Sequence, residues 1–201
     1  MPLTTGPGPD YDPMYDPSNK AIYYANGKQI GSLVAYNIKT GSSTEIFSER
    51  STQPIISPDG KKVLFLKLIE PFRAVELWVS DLEGKNQAKL ASAAMLGTGM
   101  WSPDSSQVSF FSFENINEKN KGFVSSLDGR TMIEIKGIEG NIQNISWSND
   151  AKTLYVSATK GPVTRTWRVN ADGTRAEKFC GHFYAMEPQS DGKYLLGVVL
   201  S

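Results

Sequence analysis

The chain has 201 residues, with 21 Lys and Arg against 21 Asp and Glu, 39% hydrophobic and 21% charged residues. That is enough chain to bury the core of one domain, and a formal net charge of zero argues against a protein built to grip nucleic acid or an acidic membrane surface, which needs a basic excess. Cys180 and His182 are each the single residue of their type, which excludes an internal disulfide, a structural zinc cage and a CxxC redox pair.

Residues 1–20 hold Pro, Gly, Asp and Tyr where a secretory leader needs a charged start and an apolar run. The longest apolar stretches, near 63–66 and 195–200, are too short to cross a bilayer. The expectation is a chain with no signal peptide and no membrane insertion.

Internal periodicity decides the architecture. A short phrase returns as Asp16-Pro17-Ser18-Asn19, Ser57-Pro58-Asp59-Gly60, Ser102-Pro103-Asp104-Ser105, Ser148-Asn149-Asp150-Ala151 and Ser190-Asp191-Gly192. The equivalent positions Ser18, Asp59, Asp104, Asp150 and Asp191 are 41, 45, 46 and 41 residues apart. Four residues after each stands Ile22, Val63, Val108, Leu154 or Leu195. A second anchor, the turn glycines Gly41, Gly84, Gly129 and Gly173, repeats at 43, 45 and 44 residues, and six residues beyond each comes Phe47, Leu90, Ile135 or Phe179. A period of this size belongs to propeller blades or to some helical arrays.

The units read as strands. Short inner runs at 54–56 and 99–101 end in the Pro-Asp turn, where Pro fixes φ and Asp or Gly supplies the turn geometry. Second strands follow at 62–68, 107–112 and 153–158, rich in β-branched and aromatic residues. Third strands at 76–82, 122–127 and 166–170 run into Glu-Gly or Asp-Gly turns, a strong hairpin signal. Fourth strands end at the closing apolar residues. No window carries a sustained 3.6-residue apolar period with caps, so helical repeats are disfavoured. The fold class expected is all-β, a β-propeller of four-stranded antiparallel blades with about four complete repeats and the first strands of a fifth, a partial or open propeller. The boundaries are 1–13 for an outer strand and crossing loop, 14–50, 51–96, 97–139 and 140–181 for repeats one to four, and 182–201 for the start of a fifth.

Trp101-Ser-Pro-Asp104, Ile56-Ser-Pro-Asp-Gly60 and Leu77-Trp-Val-Ser-Asp-Leu-Glu-Gly84 resemble the Pro-Asp variant of WD-type repeats, as in the TolB C-terminal domain and prolyl oligopeptidase-type propellers. Residues 3–13 resemble the outer strand and crossing loop that precede a blade in TolB-like proteins. Three departures stand out: Ser18 replaces the marker Asp in the first repeat, Asn149 and Ser190 replace the Pro, and such propellers usually have six to eight blades. The resemblance implies a bacterial, extracytoplasmic setting, with the cytoplasm also open.

Catalytic readings find little support. A peptidase of the prolyl oligopeptidase type needs a Gly-x-Ser-x-Gly elbow with a downstream acid and histidine, and no such pentapeptide occurs. His182 alone lacks the nucleophile or orienting partner a general base needs. Asp10, Asp12 and Asp16 fall short of the oxygen set calcium requires. Asp59, Asp104, Asp150 and Asp191 recur in every blade and so read as structural turn markers. Trp78 and Trp167, and Trp101 and Trp147, occupy matching register positions and read as packing between blades. Cys180 reads as a small, at least half-buried hydrophobe. No catalytic residue, metal site or cofactor is expected.

Propeller function generally sits in the loops of one face. The loop candidates are Phe72, Arg73, Glu114, Asn117, His182 and Tyr184, an aromatic and arginine mixture of the kind that protein interfaces favour, although Phe72 packing on an adjacent blade fits equally. The expected function is a non-catalytic binding or scaffold module with a protein or peptide partner. The alternatives are the substrate-gating or sensor propeller of a larger peptidase, kinase or transcription regulator, or a small-ligand or sugar-binding propeller. Unpaired edges on the last strands also predict self-association, or pairing of residues 3–5 with 195–200.

Overall fold

The β-branched and aromatic residues concentrate where the repeat register places strands, and every regular element among the described residues is a β-strand. The computed structural model describes residues 10–26, 32–48, 50–69, 74–97, 99–113, 115, 118–181, 183–189 and 191–199. The chain divides into two compact units, Met1–Ser92 and Ala93–Ser201.

The first unit holds two four-stranded sheets. One is β1 (Asp10–Asp16), β2 (Ala21–Asn26), β3 (Ser32–Asn37) and β4 (Ser43–Phe47); the other is β5 (Ser51–Ile56), β6 (Lys62–Ile69), β7 (Ala74–Asp81) and β8 (Ala88–Ala93). In both, spatial order follows chain order, as hairpins between sequence neighbours require. The core of this unit joins Leu33 and Ile46 of the first sheet to Val63 and Phe65 of the second. The Phe47 and Phe65 rings lie 5.0 Å apart, and full burial of Phe65 or Val63 is worth about 1.5–3 kcal/mol each.

The second unit begins with β9 (Met95–Leu96) and β10 (Met100–Trp101), both paired to β11 (Gln107–Phe113), which continues into β12 (Lys121–Ser126) and β13 (Met132–Ile135). A four-stranded sheet follows, β14 (Asn141–Trp147), β15 (Thr153–Lys160), β16 (Val163–Asn170) and β17 (Glu177–Gly181), and then a hairpin, β18 (Phe183–Pro188) with β19 (Leu195–Val199). Leu154, Val156 and Ala158 alternate along β15 and meet Trp167 and Val169 of β16 on one face. That face packs on Val124, Ile135 and Ile138 as one apolar cluster. Trp147, in the same cluster, donates its indole N–H to the Met100 carbonyl at 3.2 Å, tying two inner strands together.

The turn glycines do more than turn. Gly84 and Gly173 take φ of 75° and 77°, the left-handed region where a side chain is strained. Each also presses on the outer strand of the preceding sheet, Gly84 against the Ile46 carbonyl and Gly173 against the Glu134 carbonyl. Ile46 and Glu134 both stand one residue before the closing apolar position of their repeats, so the same close approach occurs at the same register in each unit.

The first repeat keeps its turn by a swap. In the second repeat Ser57 Oγ donates to Asp59 Oδ1 at 2.6 Å. In the first, the Ser and Asp have exchanged places, and Ser18 Oγ donates to Asp16 Oδ1, also at 2.6 Å. The chemistry survives because either order closes the same short ring. Asn19 then donates to the Gly60 carbonyl at 3.4 Å, reaching the turn of the next sheet. Asn149, where two other repeats have Pro, makes the corresponding reach to the Gln189 carbonyl at 2.6 Å. Asp16→Ala is expected to cost about 1.5–3 kcal/mol, the worth of a hydrogen bond to a charged group. The double exchange Asp16→Ser with Ser18→Asp is expected to retain most of that, and a urea midpoint as low as that of Asp16→Ala would refute the equivalence.

Candidate functional site

The antiparallel register separates the two ends of each sheet. The marker turns, which join the first strand of a sheet to the second, lie at one end together with the glycine turns. The connections from second to third strand, and the crossings to the next sheet, lie at the other, as Lys121 pairing with Ser112 and Gly122 with Ile135 shows for the third sheet.

At the marker end the aspartates are occupied within their own turns. Asp59 Oδ1 accepts from Ser57 Oγ and from the Lys61 amide. Asp104 does the same with Ser102 and Ser106, and Asp150 with Ser148 and Lys152. Asp191 accepts from the Lys193 amide at 3.0 Å. The serine hydroxyl bond is the leading cause that holds the Asp59, Asp104 and Asp150 carboxyls below the ordinary carboxylate value. Because the folded values are the lower ones, these carboxylates favour the fold above the unfolded value, and that contribution fades as pH falls below about 5. The urea midpoint is therefore expected to drop on acidification, and less steeply in the triple Asp→Asn variant; parallel slopes would contradict this.

Of the loop candidates, Phe72, Arg73, Glu114, Asn117 and His182 lie outside the described residues, and so do residues 3–5. Tyr184 sits on β18 opposite Val198, its side chain outside the described set. Trp101, Trp147 and Trp167 are buried, and Cys180 is half-buried. Burial pushes the Cys180 thiol up, against a weaker opposing bond to Thr166, so it is protonated at neutral pH and a poor nucleophile. No group of three or more His, Cys, Asp and Glu that could hold a metal occurs among the described residues.

The opposite end of the third sheet carries a cleft of about 280 Å³. Its walls are Lys119 to Gly122 at the start of β12 and Glu134 to Ile138 at the end of β13, with Ile142 of β14 at the base. Asn120 closes it from beneath. Its amide donates to the Ile142 carbonyl at 2.6 Å and its oxygen accepts from the Ile142 amide at 2.6 Å, so one buried side chain acts as a strand partner to the next sheet. The Lys119 ammonium donates to the Ile138 carbonyl. Beside the cleft, Glu139 lies 3.7 Å from Lys178 and 3.6 Å from Lys160. Those two cations, Lys178 foremost, hold the Glu139 carboxyl below its ordinary value.

A second cleft, of about 420 Å³, lies at the marker end between the fourth sheet and the β18–β19 hairpin, with Tyr155, Arg168, Phe179 and Tyr194 in its walls. The Tyr155 and Phe179 rings are 5.6 Å apart, and the Arg168 guanidinium, bonded to Glu177, lies 5.8 Å from the Phe179 ring centre.

No family model and no curated protein matches the sequence. Solved structures match the fold. TolB from Acinetobacter baumannii is 16% identical with a TM-score of 0.63, over 92% of this chain and 47% of its own. An oligogalacturonate lyase in complex with manganese is 15% identical with a TM-score of 0.73, over 99% and 61%. The β-propeller domain of the Trilobed protease from Pyrococcus furiosus is 21% identical with a TM-score of 0.67, over 97% and 72%. The fold is a TolB-like β-propeller. The three four-stranded sheets and the β9–β13 sheet are each a blade, and β18–β19 is the start of a fifth. This propeller chain spans about half the length of TolB and 61% of the lyase. No helix among the described residues is long and apolar enough to cross a membrane.

The lysine-rimmed cleft was absent from the sequence expectation. Its signal was present: Lys119 and Lys121 flank Asn120, and Lys136 follows the closing Ile135. Only the pairing of β12 with β13 brings these stretches together.

Proposed function

We propose that this chain is a non-catalytic propeller module that binds a protein or peptide at the end of the blades carrying the second-to-third-strand connections. The observation that supports this reading is the lysine-rimmed cleft on the third blade, set at that end and backed by a side chain that joins two blades. Loops held at the end of a rigid sheet scaffold are where binding residues concentrate. A photo-crosslinking residue placed at position 121 or 136 is expected to trap a discrete protein adduct, whose purified component then binds the chain directly. The same residue at position 104, in a marker turn, is expected to trap none. Identical adducts from both ends, or no direct binding by the trapped component, would sink the reading.

A second reading draws on the likeness to the propeller domain of the Trilobed protease, a propeller that is one part of another protein. Here the chain is the gating or sensor portion of a larger polypeptide. An uninterrupted reading frame into a hydrolase, kinase or regulator domain would establish it, and stop codons at both ends would remove it.

A further inference from the structure

We infer that the cleft on the third blade takes an acidic, amphipathic peptide segment, with one aliphatic side chain on its isoleucine floor and flanking carboxylates on Lys121 and Lys136. The inference rests on the binding-module reading and names the chemistry of the partner.

Charge carries the first part. The chain balances 21 cations against 21 anions, yet among the described residues Lys119, Lys121 and Lys136 line this cleft with only Glu134 as a lining acid. The Lys119 ammonium is engaged by a carbonyl oxygen, which leaves its positive charge uncompensated. Among the described residues no ion pair involves Lys121 or Lys136. Just beyond the rim, Lys160 and Lys178 share the single carboxylate of Glu139. The local field is therefore positive, and its complement is a segment with two or more carboxylates.

Shape and polarity carry the second part. The floor is the buried aliphatic surface of Ile135, Ile138 and Ile142. A volume of about 280 Å³ lies just under the lower bound for small-molecule pockets, about 300 Å³, and suits one side chain with its adjoining backbone. Among the described residues no aromatic ring lines the cleft. Single-stranded nucleic acid, the other polyanion a basic patch attracts, relies on aromatic stacking platforms, so the floor favours an acidic peptide.

Fluorescence anisotropy with the 201-residue chain tests this. The probes are a labelled decapeptide of Glu and Asp around one central Leu, its counterpart with Gln and Asn for the acids, its counterpart with Ser for Leu, and a ten-nucleotide oligo-dT. The acidic Leu peptide is expected to bind at least tenfold tighter than either counterpart, and to weaken several-fold between 50 and 300 mM salt, roughly two- to fivefold for each exposed lysine contact. Lys121→Glu with Lys136→Glu should weaken it tenfold or more without moving the thermal melt, whereas Lys121→Arg with Lys136→Arg should stay within about twofold. Equal binding of acidic and amide peptides, an unchanged affinity in the double Glu variant, or tighter binding of oligo-dT would each overturn the inference. If the acidic peptide fails while position 121 still traps a partner that binds directly, the partner chemistry falls and the module reading stands.

Discussion

Replacing Asn120 by leucine is expected to destabilise the second unit by about 2–4 kcal/mol. The side chain is buried and makes two hydrogen bonds of 2.6 Å to the amide and carbonyl of Ile142. Leucine preserves volume but strands a backbone donor and an acceptor away from water, each costing about 1–3 kcal/mol, partly offset by the apolar burial gained. Asn120→Asp is the sharper test. A carboxylate still accepts from the Ile142 amide, but it cannot donate, and it sets a buried negative charge against the Ile142 carbonyl oxygen. A protonated carboxyl can donate. Relative to the parent chain, Asn120→Asp should therefore recover stability as pH falls from 7 toward 4. Chemical denaturation followed by Trp147 and Trp167 fluorescence reads this out. A leucine variant as stable as the parent, or an aspartate variant whose deficit does not change with pH, would show that the Ile142 bonds do not join the blades.

Alanine at Gly84 or Gly173 is expected to cost about 2–4 kcal/mol. A positive φ alone costs a non-glycine residue about 1–2 kcal/mol. The added Cβ would also fall inside van der Waals distance of a backbone oxygen of the preceding blade, at Gly173 2.8 Å from the Glu134 carbonyl oxygen and 2.8 Å from Ile133 Cγ2. Backbone cannot rotate aside as a flexible side chain can, so blades must separate slightly, an overpacking cost of about 1–3 kcal/mol. Gly161 is the internal control. Its φ is also positive, at 59°, but a Cβ there meets nothing within 4 Å, so Gly161→Ala should show the φ cost alone. Equal midpoints for Gly161→Ala and Gly84→Ala would mean that the close approach carries no energy.

Much of the architecture was readable because its causes are local. The repeat register places second strands at 62–68, 107–112 and 153–158, and β6, β11 and β15 occupy them with one or two further residues at the far end. Alternation along a strand and the chemistry of an Asp-Gly turn act over a few neighbouring residues, and the repeat supplied several copies against which to align them. The first repeat was harder. Ser18 looked like the loss of a marker, whereas the Ser and Asp had changed places within the same turn. The binding candidates were harder still. Loop composition alone points to them, and five of the six fall outside the described residues. The cleft that the structure does display is built from Lys119 to Lys121 and Lys136, which no single loop contains.

The repeat spacing alone makes this protein a four-stranded repeat of about 44 residues, with Ser-Asp pairs and glycines in its turns and a balanced overall charge. Tertiary structure decided why the glycines must be glycines and where the charge is not balanced. Gly84 meets Ile46, and Asn120 meets Ile142, across separations of 38 and 22 residues. Those meetings arise from how blades stack, through close packing and the demand that buried backbone groups find partners. A period along the chain reports that blades exist, and only their packing gathers three lysines around one apolar floor.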